Sequence, residues 1–386
     1  MMNCKIVMLS PHHADRDYRV RRSIEVVADF FDELNVFWDK DYVGHKNEQN
    51  YPAPHIQEKY CHNKSYEFVR LLFKQQIFNQ DIFESVLSSD YVYIHASGIE
   101  GLLYCRAVKQ IKPSCFVIFD YHDSLTYELF YQLKKLRLSY FFKPIWGLYK
   151  YYIHNLMNSV DALIGISKTQ TNDFQQLLGK QLVTASVPNF RAFTDCSIAP
   201  VNVGIDDEIA LVWLGSVMKG RDLSLLANWI NQLSITPHLH VFGNIINPSV
   251  VSDLQLLLGN KVSFYGEFKN EKDIYMVLPS KPLGVFLGWD DPQETDINSH
   301  ASPNKYFTYI NMELPVIINQ SLTELAEDVI NNNAGVVVSD PHEFSQAIQE
   351  ISDNYSNYIA GVRKLKQHYS EIDPKQLISA FLRKIK

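Results

Sequence analysis

Short apolar runs alternate with amphipathic stretches along the first 200 residues of the chain. The runs are continuous and rich in β-branched residues, which is typical of strands buried on both faces of a parallel sheet. Helical periodicity separates several of them, for example over residues 21–33 and 168–178. This alternation predicts a doubly wound α/β domain. The predicted strands are residues 5–9, 35–38, 91–95, 115–120, 162–166 and 183–186.

A second series of strands and helices follows a polar, proline-containing stretch at residues 194–208. We therefore predict two Rossmann-like domains, 1–200 and 201–373, and a final amphipathic helix, 374–386, that packs back toward the first domain. Ligands bind beyond the carboxyl ends of the strands in such sheets, so two facing domains would enclose a cleft. The second series has predicted strands at 210–214, 239–242, 262–265, 284–287, 316–318 and 335–338, and predicted helices at 222–232, 249–258, 272–278, 305–310, 322–330 and 341–353.

The composition of the chain indicates its class of protein and its cellular compartment. Of the 386 residues, 46% are apolar and 20% are charged, as in ordinary globular proteins. No apolar run reaches the roughly 20 residues of a membrane-spanning helix, and the N-terminus lacks the features of a secretory signal. The five cysteines are scattered, without a Cys-x-x-Cys pair, which argues against a disulfide framework and a zinc site. We expect a cytoplasmic protein.

The net charge of −7 is unevenly distributed. Residues 1–200 carry 22 basic and 21 acidic side chains, whereas residues 201–386 carry 14 and 22. A protein that binds duplex nucleic acid would show a basic excess over a whole domain. Neither half has one, so nucleic acid is excluded as a partner.

The most specific segment begins at Ser302 and reads SPNKYFTYINMELPVI. It predicts a helix start at the Ser-Pro pair, about two turns of helix, and then a strand. Proline at the first helical position is well tolerated because that position has no intrahelical N–H bond to lose. The free N–H groups and the dipole of such a helix end attract phosphate, although similar capping signals also occur in ordinary packed helices.

This segment resembles the SPNKLFEYxxxGLPVI signature of GT-B glycosyltransferases similar to glycosyltransferase family 4. Five further segments resemble family motifs in the same order across nearly the whole chain. These are FDYHD at 119–123, DALIGIS at 161–167, VPN at 187–189, LGSVMKGR at 214–221 and FYGE at 264–267.

The resemblance implies a GT-B fold and a retaining transfer from a nucleotide-sugar, with no catalytic metal and no cofactor. It implies that Lys219 and Arg221 neutralise the diphosphate as the leaving group gains charge, and that His122 contacts the sugar. From the residues alone, Lys219 and Arg221 could also belong to a solvated turn, and a lone histidine such as His122 is more often structural. The implied donor-binding residues are Gly215, Ser216, Gly266, Ser302, Asn304, Lys305 and Thr308, and the acceptor-side residues are Arg16, Arg19, Asp120 and Asp123.

The chain also departs from the family pattern. Family members typically carry two glutamates eight positions apart, and the alignment on SPNK places His300 and Thr308 there. A threonine can hydrogen-bond one ribose hydroxyl but cannot hold two with a charged carboxylate. Glu313, where the family usually has glycine, is not a substitute by register. The nucleotide is therefore held differently, or the protein is an altered or weakly active member.

Two basic segments offer a second kind of chemistry. Residues 134–152 interleave lysine and arginine with Trp, Tyr and Phe, a pattern that suits a lipid interface but also an aromatic helix pair with solvated lysines. Residues 16–22 follow the first strand, where Arg16 and Arg19 could meet an anionic acceptor or begin a helix.

We therefore expect a glycosyltransferase that moves a sugar from a nucleotide-sugar donor to a lipid-linked surface-polysaccharide acceptor, peripheral on an anionic membrane. One alternative is a GT-B sugar-nucleotide epimerase, against which the SPNK segment counts. The other is a catalytically silent GT-B subunit that binds a glycan or protein partner. His300 and Thr308 favour that subunit, and the retained Lys219, Arg221 and His122 oppose it.

Overall fold

The computed structural model describes residues 4–10, 17–39, 56–61, 78, 80–135, 137–179, 181–190, 193, 209–234, 237–268, 270–278, 281–289 and 296–386. The chain forms two compact units. The first comprises Met1–Asn189 and Asp373–Lys386, and the second comprises Phe190–Ile372. The sequence analysis drew the division near residue 200.

Seven parallel strands form the sheet of the first unit, in the order β3-β2-β1-β4-β5-β6-β7. The winding direction reverses between β1 and β4, and ligands bind beyond the carboxyl ends of strands at such a reversal. The strands are β1 (Lys5–Ser10), β2 (Glu33–Asp39), β3 (Ile56–Cys61), β4 (Tyr91–Ala96), β5 (Phe116–Tyr121), β6 (Ala162–Gly165) and β7 (Val183–Ser186). The helices are α1 (Tyr18–Phe30), α2 (Gln80–Ser88), α3 (Gly98–Ile111), α4 (Leu125–Lys135), α5 (Phe142–Met157) and α6 (Lys168–Leu178).

The second unit has six parallel strands in the order β10-β9-β8-β11-β12-β13. Here the winding direction reverses between β8 and β11, which marks the corresponding place for a ligand. The strands are β8 (Ile209–Leu214), β9 (His238–Phe242), β10 (Val262–Gly266), β11 (Lys281–Phe286), β12 (Val316–Asn319) and β13 (Gly335–Val338). The helices are α7 (Leu223–Ile230), α8 (Pro248–Leu258), α9 (Glu271–Tyr275), α10 (Asn304–Asn311), α11 (Thr323–Asn332), α12 (Pro341–Asp353) and α13 (Tyr355–Ser370).

The last helix, α14 (Pro374–Ile385), belongs to the first unit and packs on α1 and β7. Asp373 caps it by accepting a hydrogen bond of 2.8 Å from the backbone N–H of Lys375. Ile378, Phe381 and Leu382 are buried in the same core as the apolar residues of α1. The apolar stripe of this helix is therefore part of the core of the first unit.

The structure confirms the predicted fold class, and each predicted strand lies within three residues of its expected bounds. Helix α1 begins and ends three residues before the prediction because Asp17 caps it and the chain enters β2 at Glu33. The sequence analysis missed β3 and α13. Among the helices that the structure describes, none is both long and apolar enough to cross a membrane.

Candidate functional site

Glycine backbone lines the carboxyl ends of β8, β9 and β10. The N–H of Gly215 donates to the carbonyl of Phe242 over 2.9 Å, and the N–H of Gly243 donates to the carbonyl of Gly266 over 2.7 Å. Gly215 and Gly243 have φ values of 140° and 138°, and a Cβ on Gly243 would lie 1.9 Å from the carbonyl oxygen of Gly215. Only glycine therefore fits at residue 243, which the sequence analysis did not single out although it directly follows a predicted strand.

The turn at residues 215–221, which we call the glycine turn, carries the two predicted catalytic cations, Lys219 and Arg221. Ser216 is half-buried within it, and Lys219 is exposed. The backbone N–H of Lys219 donates to Oδ1 of Asn247 over 3.3 Å. The guanidinium of Arg221 lies over the ring of Trp289, 5.1 Å from its centroid. Arg221 is thus oriented by a tryptophan that follows β11. The sequence around Arg221 does not predict this contact.

A buried ion pair lies directly behind the turn. Asp222 is fully buried and accepts hydrogen bonds from Nε1 of Trp213 at 2.9 Å and from the N–H of Leu287 at 2.8 Å. Nζ of Lys305 lies 3.5 Å from Oδ1 of Asp222 and 4.1 Å from the centroid of the Trp213 ring. Lys305, predicted as a donor contact, therefore points into the unit.

Lys305 nevertheless stays close to the glycine turn. A Cβ on Gly215 would lie 3.6 Å from Cε and 3.7 Å from Nζ of Lys305. Burial lowers the pKa of Lys305 to about 8, with Asp222 opposing this shift and Arg221 adding to it. At neutral pH the ammonium group places a positive charge behind the backbone of the turn, where it favours an anion on the other side.

Helix α10 brings the remaining predicted donor-binding residues together. It begins at Asn304, with Pro303 as its N-cap, so the prediction of proline at the first helical position was wrong by one residue. Ser302 is buried, and Asn304 is exposed at the helix start. Oγ1 of Thr308 donates to the carbonyl of Asn304 over 3.0 Å, which leaves its lone pairs as the acceptors available to a ligand.

His300, the other departure from the family pattern, is buried before the helix. Its Nδ1 lies 3.6 Å from Oδ2 of Asp296. The adjoining Asn298 accepts a hydrogen bond of 2.8 Å from the N–H of Trp289. This segment therefore supports the tryptophan on which Arg221 rests.

In the first unit, a hydrogen-bond network surrounds Asp120 at the end of β5. Oδ2 of Asp120 accepts from the hydroxyl of Tyr93 at 2.7 Å and lies 2.9 Å from Nδ1 of His95. Ser23 Oγ lies 3.4 Å from the same oxygen. Burial favours the neutral carboxyl, but His95 and Tyr93 hold the pKa of Asp120 below its ordinary value. Asp120, predicted on the acceptor side, is a buried residue.

His95 links Asp120 to the residues that follow β1. Its Nε2 lies 3.8 Å from Oδ2 of Asp17, whose Oδ1 accepts the N–H of Arg19 at 2.9 Å. Burial opposes protonation, yet Asp120 and Asp17 hold the pKa of His95 above its ordinary value. Arg19, predicted on the acceptor side, therefore adjoins this network. Arg16 lies outside the described residues.

His122 stacks on His95, with ring centroids 4.7 Å apart and an interplanar angle of 24°. Its side chain is almost fully buried, and its Nε2 lies 3.9 Å from Oδ2 of the exposed Asp123. The structure thus brings the predicted His122 and Asp120 together through His95. The sequence analysis assigned no role to His95, although it closes a predicted strand.

His95, Asp120 and His122 also have the residue types of a metal site, with one ligand atom of each within 4.8 Å of the others. A metal ion must lie close to the plane of each imidazole that binds it, because the lone pair lies in that plane. Two rings stacked at 24° lie in separate, nearly parallel planes, so an ion within bonding distance of both could not lie close to both planes. The geometry therefore favours a hydrogen-bond network over metal coordination.

Glu128 holds the start of α3 and was not predicted as a site residue. Its carboxylate accepts the N–H of Ile99, in the first turn of α3, at 2.9 Å. A Cβ on Gly98 would lie 1.7 Å from Oε2 of Glu128, so the glycine makes room for the carboxylate. Burial raises the pKa of Glu128 to about 7. A helical glutamate carries no sequence signal for such a contact.

Comparison with known proteins gives a family match within the second unit and a structural match over the whole chain. Residues 215–371 match a family described as the glucosyltransferase 3-like C-terminal domain. The whole chain superposes on HepE from Anabaena in complex with UDP, with a TM-score of 0.68, 14% identity and 99% of each chain covered. The protein has the GT-B fold.

Two further GT-B structures agree with this result. A glycosyltransferase from Rickettsia africae has a TM-score of 0.66 at 13% identity, with 100% of each chain covered. The lipopolysaccharide outer core galactosyltransferase WaaB, in its apo form, has a TM-score of 0.65 at 11% identity and covers 99% of this chain and 100% of its own. No curated protein matches this sequence at a significant level.

Proposed function

We propose that the protein is a glycosyltransferase that moves a sugar from a nucleotide-sugar to a glycan acceptor. The observation that carries the proposal is the glycine turn after β8, with Lys219 and Arg221 on it and Lys305 behind it. This turn lies within the segment that matches the glucosyltransferase 3-like domain. It also lies where the winding of the second sheet reverses.

The chemistry of transfer explains why these cations belong together. When the bond between the sugar and the diphosphate breaks, negative charge accumulates on the leaving phosphate. Preorganised positive groups stabilise that charge without reorganising during the step. We assign direct phosphate contact to Lys219 and Arg221, and a supporting electrostatic role to Lys305. The backbone at Gly215 and Gly266 would allow close approach, and Ser216, Ser302 and Asn304 would donate further hydrogen bonds.

We further propose a uridine diphosphate sugar as the donor. HepE is described in complexes with UDP and with UDP-glucose, and an E. coli relative is described with UDP-2-fluoro glucose. These structures are at most 14% identical to this chain, and a panel of nucleotide-sugars tests the base and the sugar directly.

On the acceptor side we propose His122 as the residue that contacts the reacting sugar, positioned by its stacking on His95. Arg19 and Asp123 would contact a surface-polysaccharide acceptor carried on a lipid. Retention of the anomeric configuration and independence from metal remain part of the proposal. Nuclear magnetic resonance of the newly formed linkage tests the first, and turnover in the presence of a chelator tests the second.

A catalytically silent GT-B subunit is the second candidate. His300 and Thr308 support it, because neither supplies the carboxylate that is typical at these positions in the GT-B glycosyltransferases that the chain resembles. A panel of nucleotide-sugars separates the two. We expect hydrolysis or transfer with one donor, and thermal stabilisation by its nucleotide diphosphate. Stabilisation without turnover of any nucleotide-sugar in the panel would instead favour the silent subunit.

Thr308→Glu tests the position of the ribose. A glutamate here supplies two charged acceptor oxygens for the ribose diol, so nucleotide affinity should improve by about 1–2 kcal/mol, the excess of a charged over a neutral hydrogen bond. Thr308→Val is the matched control, because it removes the hydroxyl and keeps the shape. Calorimetric titration with UDP measures both. Unchanged affinity in both variants would show that residue 308 does not face the nucleotide.

Because the pKa of Lys305 is lowered, we expect UDP affinity and the free energy of unfolding to change in opposite directions as the pH rises. Above its pKa of about 8, loss of the proton should weaken UDP binding by up to about tenfold per pH unit. The unfolded chain keeps this proton up to the ordinary lysine value of 10.5, so Lys305 should make unfolding more costly as the pH rises between these values. Titrations from neutral to alkaline pH measure affinity, and urea unfolding over the same range measures stability.

Lys305→Arg is the control for this pH dependence because arginine stays charged throughout the range. UDP affinity in this variant should be flat with pH. A decline as steep as that of the unmodified protein would assign the titration to another group and contradict the role given to Lys305.

A further inference from the structure

Among the described residues of the first unit, the most exposed large apolar side chains cluster around α5 and the turn that precedes it. We call this the basic aromatic surface; it comprises Tyr140, Phe141, Lys143, Leu148, Lys150 and Tyr151. Tyr140 is 71% exposed, Leu148 is 75% exposed and Tyr151 is 73% exposed. Side chains of this size normally bury most of their area, so a cluster of them outside the core needs a partner of its own.

The helical geometry separates this surface from the core-facing side of α5. Leu148 and Tyr151 lie three residues apart, so they share one face of α5, and Phe141 directly precedes the helix. The opposite face carries Ile153 and Leu156, which are buried in the core, and Trp146, which packs against it. The exposed apolar residues are therefore not required for packing within the first unit.

The charged residues of this stretch of the sequence have one sign. Residues 129–160 contain five lysines and arginines and no aspartate or glutamate. Lys134, Arg137, Lys143 and Lys150 are exposed. In a second copy of the chain the same surface would present like charges, and a protein partner would need carboxylates in register with four separate cations. An anionic lipid surface supplies diffuse negative charge without any such register.

We propose that the basic aromatic surface binds a bilayer that contains anionic phospholipid. The rings of Tyr140, Phe141 and Tyr151 enter the boundary between head groups and acyl chains, where amphipathic aromatic side chains are favoured. Leu148 is buried in the same layer. The lysines pair with lipid phosphates. This binding requires no sugar transfer, so it can hold or fail independently of the proposed function, although it suits an acceptor carried on a lipid.

Co-sedimentation with vesicles tests the electrostatic part. The full chain should bind vesicles of phosphatidylcholine and phosphatidylglycerol, and should detach as added salt shortens the Debye length from about 10 Å to about 3 Å. Lys143→Glu with Lys150→Glu should lower the partition coefficient at least about 30-fold, on the basis of the usual contribution of each lysine near an anionic surface. Equal binding to vesicles of phosphatidylcholine alone would overturn the assignment to anionic lipid.

A second pair of variants tests the apolar part. Leu148→Ser with Tyr151→Ser should weaken vesicle binding at least about tenfold, because the lost apolar area no longer leaves water. The second unit provides two controls: Lys261→Glu with Lys272→Glu makes the same charge change, and Leu256→Ser with Met276→Ser likewise replaces two exposed apolar side chains by serine. Both controls should bind as the unmodified chain does. Reduced binding in the controls to the same degree would show that total charge or hydrophobicity, not this surface, drives binding.

Sedimentation velocity without lipid tests whether a second copy of the chain, rather than a membrane, covers the basic aromatic surface. We expect the Leu148→Ser, Tyr151→Ser variant to sediment as the unmodified chain does. If the unmodified chain is an oligomer that this variant dissociates, and neither protein binds vesicles, the surface is an interface between copies and the proposal is wrong.

Discussion

Alanine at Lys219 or at Arg221 should lower sugar transfer by roughly 10²–10³-fold, the usual loss when one preorganised charge-stabilising donor is removed. Lys219 is exposed on the turn after β8, and Arg221 rests on Trp289 5.1 Å from the ring centroid. Neither side chain contributes to the core, so each variant should fold normally. The loss should appear mainly in kcat, because the leaving phosphate gains charge only as the bond breaks.

Steady-state rates with the preferred nucleotide-sugar measure this loss, and a thermal melt confirms that each variant is folded. Lys272→Ala is the matched control, because it removes an exposed lysine of the same unit away from the turn. We expect its rate to be unchanged. Near-normal turnover in both Lys219→Ala and Arg221→Ala would contradict the assignment of the phosphate site to this turn.

Asp222→Ala should lower the free energy of unfolding by about 3–5 kcal/mol, the usual cost of breaking a buried ion pair on one side. The substitution leaves the ammonium of Lys305 without its carboxylate and removes the acceptor of two hydrogen bonds, from Trp213 and from Leu287. Urea denaturation followed by tryptophan fluorescence measures the change.

Two further variants separate charge from hydrogen bonding at this site. Asp222→Asn keeps an acceptor for Trp213 but removes the negative charge, so we expect an intermediate loss. Asp222→Leu combined with Lys305→Met replaces the ion pair by apolar groups, and should recover most of the stability because no charge stays buried alone. If Asp222→Ala proves as stable as the unmodified protein, the pair contributes nothing and the buried position assigned to Lys305 is wrong.

Local patterns were sufficient for most of the fold. Strands such as β1, β5 and β8 are buried in nearly every residue, so their sequences read as continuous apolar runs. β3 reads IQEKYC and was missed because it is an edge strand with polar positions, which resemble a loop. Helix α13 was missed although its buried residues are spaced as on a helix face.

In the candidate site, the sequence predicts residues of contiguous motifs but not contacts between distant residues. Gly215 and Lys219 could be identified because they form a contiguous motif after a strand. Trp289 and Asp222 could not, because their roles depend on residues far away in sequence. Lys305 was identified in its motif, but the sequence does not say that its side chain turns inward to Trp213.

Helix α14 belongs to the first unit but is translated after the whole of the second unit. The second unit, Phe190–Ile372, is continuous, and all of it is translated before α14. Until then the apolar residues of α1 lack Ile378, Phe381 and Leu382, which cover them in the finished core. A chain released early would present this uncovered groove to chaperones and proteases. The core of the first unit is therefore complete only once translation has passed through α14.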